Sequence, residues 1–257
     1  MLESSFAART VMVLAVALGW LSLPVFAVFL FLGSLNLADL GLGTVGALSL
    51  DAGLCLLFFM QHSVMVRKPF QRWLARHVPE AYGSAVYAVC SGLALLAVVI
   101  FWQRSALSLF EADGVYRVPF YAVFLLSLGG FAWGVRALKS FDPFGIMPIR
   151  HQLQGTEPKP LRFTVAGPYR WVRHPLYLFM ILIIWACPNL TLDRLLFNLL
   201  WTIWIVALGT ILEERDLVAE FGSTYREYQR KVPMLIPYRI PPPLQDRAGS
   251  GQDSGCR

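Results

Sequence analysis

The chain has 257 residues, of which 56% are apolar and only 15% are charged, and its mean hydropathy is +0.56. This composition exceeds what the core of a soluble protein requires and predicts an integral membrane protein. The net charge of +6 would also suit a nucleic-acid partner, but the basic residues flank apolar segments, where membrane topology and anionic headgroups account for them.

Six apolar segments, in chain order, have the character of membrane-spanning helices. Segments 11–35, 83–102, 118–135 and 195–212 are uncharged and close to the roughly 20 residues that cross a bilayer as helix. Segment 45–66 carries Asp51, Gln61 and His62, and segment 176–192 is short and is interrupted at Pro188. The pattern predicts an all-α, polytopic membrane helix bundle in which the short fifth span forms a hairpin with the sixth.

Residues 1–240 are predicted to form a single membrane-embedded domain. Residues 241–257 begin with three prolines and continue with Gly, Ser, Gln and Asp, a composition that cannot bury enough apolar surface to fold. We therefore expect a disordered tail.

The distribution of basic residues predicts the orientation. Of the 22 lysines and arginines, only Arg104, Arg117 and Arg194 fall at the face where spans one, three and five end. Because Lys and Arg accumulate in cytoplasmic loops, both termini are expected in the cytoplasm, with the chain in a bacterial inner membrane.

The densest set of charged and aromatic residues brackets the last two spans. It comprises Gly167-Pro168-Tyr169 and Arg173-His174-Pro175-Leu176-Tyr177 before the fifth span, and Glu213-Glu214 after the sixth. Proline suits the first turn of a helix, so His174 is a candidate N-cap, and the hairpin returns both glutamates to its level. A helix N-terminus with Arg170 and Arg173 favours an anionic group, and the glutamates favour a cation.

A ligand with both a carboxylate and an ammonium group matches this set, and ribose hydroxyls also pair well with acidic side chains. S-adenosylmethionine has all of these groups. The alternative is that Arg170 and Arg173 anchor the chain at the lipid headgroups while the glutamates pair with Arg215 on a solvated surface.

These elements resemble the GxY, RHPxY and EE motifs of the isoprenylcysteine carboxyl methyltransferase-like membrane methyltransferases. Blocks at 61–67, 141–145 and 212–217 narrow the likeness to bacterial members that methylate a small thiol, and the likeness covers nearly the whole chain. Pro143 departs from the pattern, since a larger apolar residue is expected there. The resemblance implies methyl transfer from S-adenosylmethionine to methanethiol, giving dimethyl sulfide, by in-line displacement at the cytoplasmic membrane face.

The resemblance also implies the site residues. His174 and His62 would be catalytic, by favouring the reactive thiolate. The methyl donor would be held by His151, Gly167, Tyr169, Arg173, His174, Tyr177, Glu213 and Glu214. For His62 an interhelical hydrogen bond is the alternative, and for His151 an ordinary loop position. No metal is expected, because the four cysteines are scattered without CxxC spacing.

Expected partners are a small thiol and the lipid bilayer, with no nucleic acid and no obligate protein partner. Three other functions remain open at this level. The acceptor could be another thiol, a lipid amine or a prenylcysteine carboxylate. The block around His62 also resembles NnrU-like membrane proteins, in which this histidine would be a haem ligand. The third is a membrane adaptor without enzymatic activity.

Overall fold

The computed structural model describes residues 2–138, 142–157 and 163–238. The predicted tail lies outside these residues. The helices are α1 (Leu2–Leu32), α2 (Thr44–Met65), α3 (Lys68–Leu74), α4 (Gly83–Phe101), α5 (Val118–Ala137), α6 (Met147–Gln154), α7 (Pro175–Trp185), α8 (Leu192–Ile203) and α9 (Thr210–Lys231). The described residues also form two strands, β1 (Ser108–Glu111) and β2 (Asn189–Thr191), and several short 3₁₀ or π-helical turns.

Five helical segments are long and apolar enough to cross a membrane: Phe6–Leu32, Thr44–Met65, Glu80–Phe101, Gly114–Ala137 and Leu192–Lys231. The polytopic helical architecture is therefore confirmed, whereas six full spans are not. α7 has 11 residues, so it extends about 16 Å, roughly half the hydrocarbon thickness of a bilayer. It ends at Trp185, and the chain then enters β2 instead of continuing as helix.

The antiparallel pairing of β1 with β2 was not expected from an all-α pattern. Ser108 pairs with Thr191 and Glu111 with Asn189, so the sheet joins the α4–α5 connection to the α7–α8 connection. Strands of three and four residues give too short an alternation to be recognised in a sequence. We call the end of the bundle that holds this sheet the opposite end. The charged motifs Arg173-His174 and Glu213-Glu214, which form the candidate site, lie at the other end, where α7 and α9 begin.

The membrane core is rich in aromatic side chains. α1 packs on α4, α2 packs on α4 and α8, and α5 packs on α7. Phe26, Phe29, Phe58, Phe197 and Trp201 are buried where α1, α2 and α8 meet, with ring centroids 5.0–6.1 Å apart in many pairs. Ring contacts at these distances add to the hydrophobic gain of burial.

The last helices fold back onto the candidate site. α8 continues through a π-helical turn, Trp204–Gly209, into α9. α9 bends at Gly222, whose φ of 57° and ψ of −126° suit glycine alone. The bend returns residues 223–234, here called the C-terminal segment, to the chain just before α7. Tyr225, Tyr228 and Val232 of this segment are buried together against Phe163.

Candidate active site

A tight turn aligns the chain before α7. Gly167 has φ 54°, and a Cβ atom there would lie 3.0 Å from Ala137 Cβ and 3.1 Å from Trp133 Nε1. A glycine is thus required both by the backbone conformation and by the close approach to α5. One 3₁₀ turn, Gly167–Arg170, then leads to His174 at the N-cap position and Pro175 in the first turn. The predicted start of this helix is confirmed.

The structure brings the two charged motifs into direct contact. His174 Nε2 lies 2.8 Å from Glu214 Oε1, and Arg173 donates from Nε to Glu214 Oε1 at 2.6 Å and from Nη2 to Glu214 Oε2 at 3.2 Å. The other ring nitrogen of His174, Nδ1, lies 3.5 Å from Glu213 Oε2. One histidine ring is therefore held between two adjacent glutamates.

The surroundings of His174 favour its charged form. Burial by itself lowers the pKa of this imidazole, but the hydrogen bonds and negative charges of Glu213 and Glu214 outweigh burial and raise the pKa above its ordinary value. An imidazolium has no lone pair with which to accept a proton. His174 is thus better suited to orient carboxylates than to deprotonate a thiol.

The two glutamates differ in exposure and in the number of hydrogen bonds that their carboxylates accept from the protein. Glu214, with a side chain 13% exposed, also accepts hydrogen bonds from Tyr225 Oη at 3.2 Å and from Gln229 Nε2. Glu213 is 45% exposed, and its carboxylate lies 3.5 Å from His174 Nδ1. The carboxylate of Glu214 is saturated by the protein, whereas that of Glu213 can take a ligand.

Tyr169 and Tyr177, both predicted to bind the methyl donor, lie close to His174 and the two glutamates. The ring of Tyr177 stacks on that of His174 with centroids 5.5 Å apart and planes 15° from parallel. Tyr169 is half-buried, and its carbonyl accepts a hydrogen bond from Tyr228 Oη. A Cβ atom at Gly209 would lie 3.5–3.6 Å from the hydroxyl end of Tyr177. Tyr177 therefore reaches from His174 to the end of the π-helical turn.

His62 belongs to a neighbouring aromatic cluster. Its ring stacks on Phe58 at 5.2 Å and meets Trp204 edge-on at 5.5 Å, and Tyr87 Oη lies 2.9 Å from both ring nitrogens. Trp204 opens the π-helical turn that Gly209 closes. Five residues of helix separate these positions, so the His62 cluster lies roughly 7 Å along the axis from the contact with Tyr177.

His151 stands apart from the other predicted residues. It lies on α6, where Nδ1 is 2.8 Å from Thr156 Oγ1, and α6 packs on α1 and on the 3₁₀ turn Glu80–Tyr82. No contact among the described residues joins it to His174 or Glu213, and its role stays a prediction. Over the described ranges, no group of three or more His, Cys, Asp or Glu side chains could hold a metal ion.

Tyr225 and Gln229 are the site residues that the sequence did not reveal. Neither residue belongs to the motifs at 167–177 and 213–214 that predicted the site. In a straight helix Tyr225 and Gln229, 11 and 15 residues after Glu214, would lie about 16 and 22 Å from it along the axis, too far for side-chain contact. Their meeting depends on the bend at Gly222, which spacing alone does not disclose.

Comparison with known proteins places these features in a family. No family model and no solved structure matches the chain. Methanethiol S-methyltransferase of Crocosphaera subtropica is 37% identical over 195 residues, 76% of each chain, and methanethiol S-methyltransferase 1 of Bradyrhizobium diazoefficiens is 36% identical over 203 residues, 76% of this chain and 69% of the relative. Nurim of Sus scrofa is 30% identical over 179 residues, 66% of this chain and 68% of the relative. With 36–37% identity to two methanethiol S-methyltransferases over 76% of this chain, the protein is a methyltransferase and belongs to the methanethiol S-methyltransferase family.

Proposed function

We propose that this protein transfers a methyl group from S-adenosylmethionine to a small thiol, methanethiol, giving dimethyl sulfide, at the cytoplasmic membrane face. The observation that carries the proposal is the contact of His174 and Arg173 with the glutamate pair at the start of α7. The relatives of known name act on methanethiol, which supports the choice of acceptor.

The donor set fits S-adenosylmethionine. Glu213 offers a half-exposed carboxylate to an ammonium or to ribose hydroxyls, and Tyr169 and Tyr177 offer aromatic faces beside it. No side chain in the described part of the chain caps the start of α7, so the backbone N–H groups of Leu176 and Tyr177 suit a carboxylate. Arg173 is engaged by Glu214, so anion binding falls to this helix end and to the exposed Arg170.

The chemistry needs alignment and a proton acceptor. S-adenosylmethionine supplies, when bound, a sulfonium methyl group open to in-line attack by sulfur. Alkyl thiols are mostly protonated at neutral pH, and the thiolate is the nucleophile. Since the glutamates favour the charged form of His174, we assign the acceptance of the thiol proton to His62. This histidine has no ion pair among the described residues, and its ring contacts Trp204, in the π-helical turn whose last residue, Gly209, lies beside the hydroxyl end of Tyr177.

The surroundings of His62 suit a small apolar thiol better than a haem. Phe58, Tyr87 and Trp204 contact the ring from different sides, and aromatic faces attract thiol and thioether sulfur. A porphyrin on this histidine would have to displace several of these rings. The haem alternative therefore gains no support from the site.

The cytoplasmic assignment rests on charge. α3 and the start of α7 lie at the same end of the bundle, because Arg67 pairs with Asp216 and Lys68 with Glu220 at 3.3 Å. This end also has the basic connectors. By the positive-inside tendency it faces the cytoplasm, where S-adenosylmethionine is made, and we propose a bacterial inner membrane as the location.

Headspace gas chromatography tests the proposal. Membranes from a host without this activity, expressing the chain and supplied with methanethiol and S-adenosylmethionine, should release dimethyl sulfide above an empty-vector control. His174→Ala should abolish the signal, while Glu227→Gln, which removes an exposed ion pair with Lys231, should not. Full activity of His174→Ala at matched expression would reject the site. Donor binding without product would direct the search to other acceptors.

A further inference from the structure

The carboxylate of Glu214 receives more donors than its ion pair requires. Oε1 accepts from Arg173 Nε, His174 Nε2 and Tyr225 Oη, and Oε2 accepts from Arg173 Nη2 and Gln229 Nε2. Arg173 alone could satisfy it in a bidentate pair. The hydroxyl and the amide, both from the C-terminal segment, therefore do something other than neutralise the charge.

The C-terminal segment is tied to the start of α7 by backbone as well. The N–H of Arg173 donates to the Pro233 carbonyl at 2.9 Å, and that of His174 donates to the Met234 carbonyl at 3.0 Å. Arg173 Nη1 donates to the carbonyls of Gln229 and Val232 at 2.9 and 2.6 Å. The segment thus forms one wall of the candidate site and is not an appendage beyond it.

These contacts form a chain that ends at the open carboxylate. Tyr225 and Gln229 hold the rotamer of Glu214, Glu214 holds Nε2 of His174, and the ring so oriented presents Nδ1 to Glu213. Each of these contacts is charged or polar and is largely buried. Without the bonds from Tyr225 and Gln229, the Glu214 carboxylate could rotate, and the His174 ring bonded to it would rotate as well. A fixed ring stacked on Tyr177 keeps the two donor-binding side chains in register.

We infer that Tyr225 and Gln229 are positioning residues for the methyl-donor site, acting through Glu214 on His174 and Glu213. The inference deepens the proposed function and rests on it. Packing alone does not need these groups, because the ring of Tyr225 already contacts Phe163 and Tyr228. The hydroxyl of Tyr225 and the amide of Gln229 instead fix the orientation of the Glu214 carboxylate.

Two substitutions remove the donors while keeping shape. Gln229→Met preserves length and volume and deletes the amide, and Tyr225→Phe deletes one hydroxyl from a side chain that is 1% exposed. Glu227→Gln is the matched control, since it alters an exposed ion pair in the same helical stretch. The full chain is purified in detergent or nanodiscs, and the Kd of S-adenosylmethionine is measured by equilibrium dialysis, together with KM and kcat.

The Kd of the donor should rise about tenfold in Gln229→Met and about threefold in Tyr225→Phe, as expected for hydrogen bonds to a charged group. The KM of the thiol should stay within about twofold of wild type, because the His62 cluster is untouched. Gln229→Lys, whose ammonium can donate to Glu214, should restore part of the lost affinity. The control should bind like wild type.

A purely structural role predicts another result. Variants that merely misfold leave fewer active molecules, which lowers the apparent kcat and changes neither Kd nor KM. An unchanged donor Kd in both Gln229→Met and Tyr225→Phe overturns the inference while the proposed function stands. If the wild-type protein itself binds no S-adenosylmethionine, the proposed function fails, and the inference fails with it. Should Gln229→Met not fold, the Kd of Tyr225→Phe decides.

Discussion

Two clusters of charged side chains lie at opposite ends of the helix bundle. They differ in whether a polar group of the cluster is exposed to solvent. At the opposite end, Asp193 accepts from Trp102 Nε1 at 2.9 Å and from the Ser105 N–H at 3.0 Å, while Arg194 donates to the carbonyls of Phe29 and Leu30. Both charged residues are 2–3% exposed. This cluster joins helix ends to one another.

The cluster at α7 has a similar density of hydrogen bonds and ion pairs, but one of its side chains is exposed to solvent. His174 is buried, Arg173 and Glu214 are 11% and 13% exposed, and all three are bonded within the protein, whereas Glu213 beside them is 45% exposed. At the opposite end, two atoms find no hydrogen-bond partner among the described residues, Asp51 Oδ2 and Arg194 Nε, and both are fully buried. A buried charge network serves as scaffold when its remaining groups are sealed in, and as a binding site when one of them meets solvent.

Glu214→Ala should have the largest effect on activity and stability, because it removes the carboxylate that receives the most hydrogen bonds in the cluster at α7. Arg173 would keep a largely buried guanidinium without its carboxylate, and the C-terminal segment would lose its two side-chain bonds to the start of α9. We expect methyl transfer to fall by at least about 100-fold and the free energy of unfolding by about 3 kcal/mol. Headspace assays and thermal unfolding of the purified protein check both. Retained activity would remove Glu214 from the site.

Arg194→Met should affect stability without affecting the site. The carbonyls of Phe29 and Leu30 at the end of α1 would lose their donor, while the long apolar side chain of Met still fills the space between Phe29 and Phe197. We expect a loss of about 2 kcal/mol in the free energy of unfolding, with the Kd of S-adenosylmethionine per folded molecule unchanged. Arg104→Met, at an exposed position of the same end, is the control. A weakened donor Kd would show that this end is more than scaffold.

The contact between the two motifs could be predicted because it follows from helix lengths. An apolar hairpin that starts at Pro175 must return Glu213 and Glu214 to the level where it began, and the basic connectors mark that level. The predicted end of the helix at 192 was too late, since α7 stops at Trp185. A three-residue strand in an apolar run has no periodic signal that separates it from helix.

What could not be predicted depends on tertiary contacts between distant parts of the chain. Glu213 and Glu214 are neighbours of one chemical type, and only their environments leave one largely buried and bonded within the protein and the other half-exposed. Gly222 is one glycine among 20, and nothing in the sequence distinguishes the bend there from a helical position. The partners Tyr225 and Gln229 follow from that bend.

Glu213→Gln sharpens the contrast between the adjacent glutamates. Because the side chain is 45% exposed, its neutralisation should change the free energy of unfolding by less than about 0.5 kcal/mol. The Kd of S-adenosylmethionine should nevertheless rise about tenfold, since a charge-assisted contact with the donor is weakened. Equilibrium dialysis measures this, and Asp216→Asn, an equal loss of charge at an exposed position on the same helix, is the comparison. Equal effects of the two substitutions would show that general charge, and not the position of Glu213, attracts the donor.

The smallest expected effect is a dependence of stability on pH that originates at His174. Its pKa is raised in the folded protein by Glu213 and Glu214 against the opposing effect of burial, so the contribution is complete below the ordinary value of about 6.5 and is lost as the pH rises through the raised folded value. The melting temperature should therefore decline on the alkaline side of neutrality. His174→Gln should flatten that decline, whereas His77→Gln, at an exposed position, should leave it intact. Glu213 and Glu214 are the acidic groups that contact the ring, so a decline that persists in His174→Gln would have to arise elsewhere in the chain.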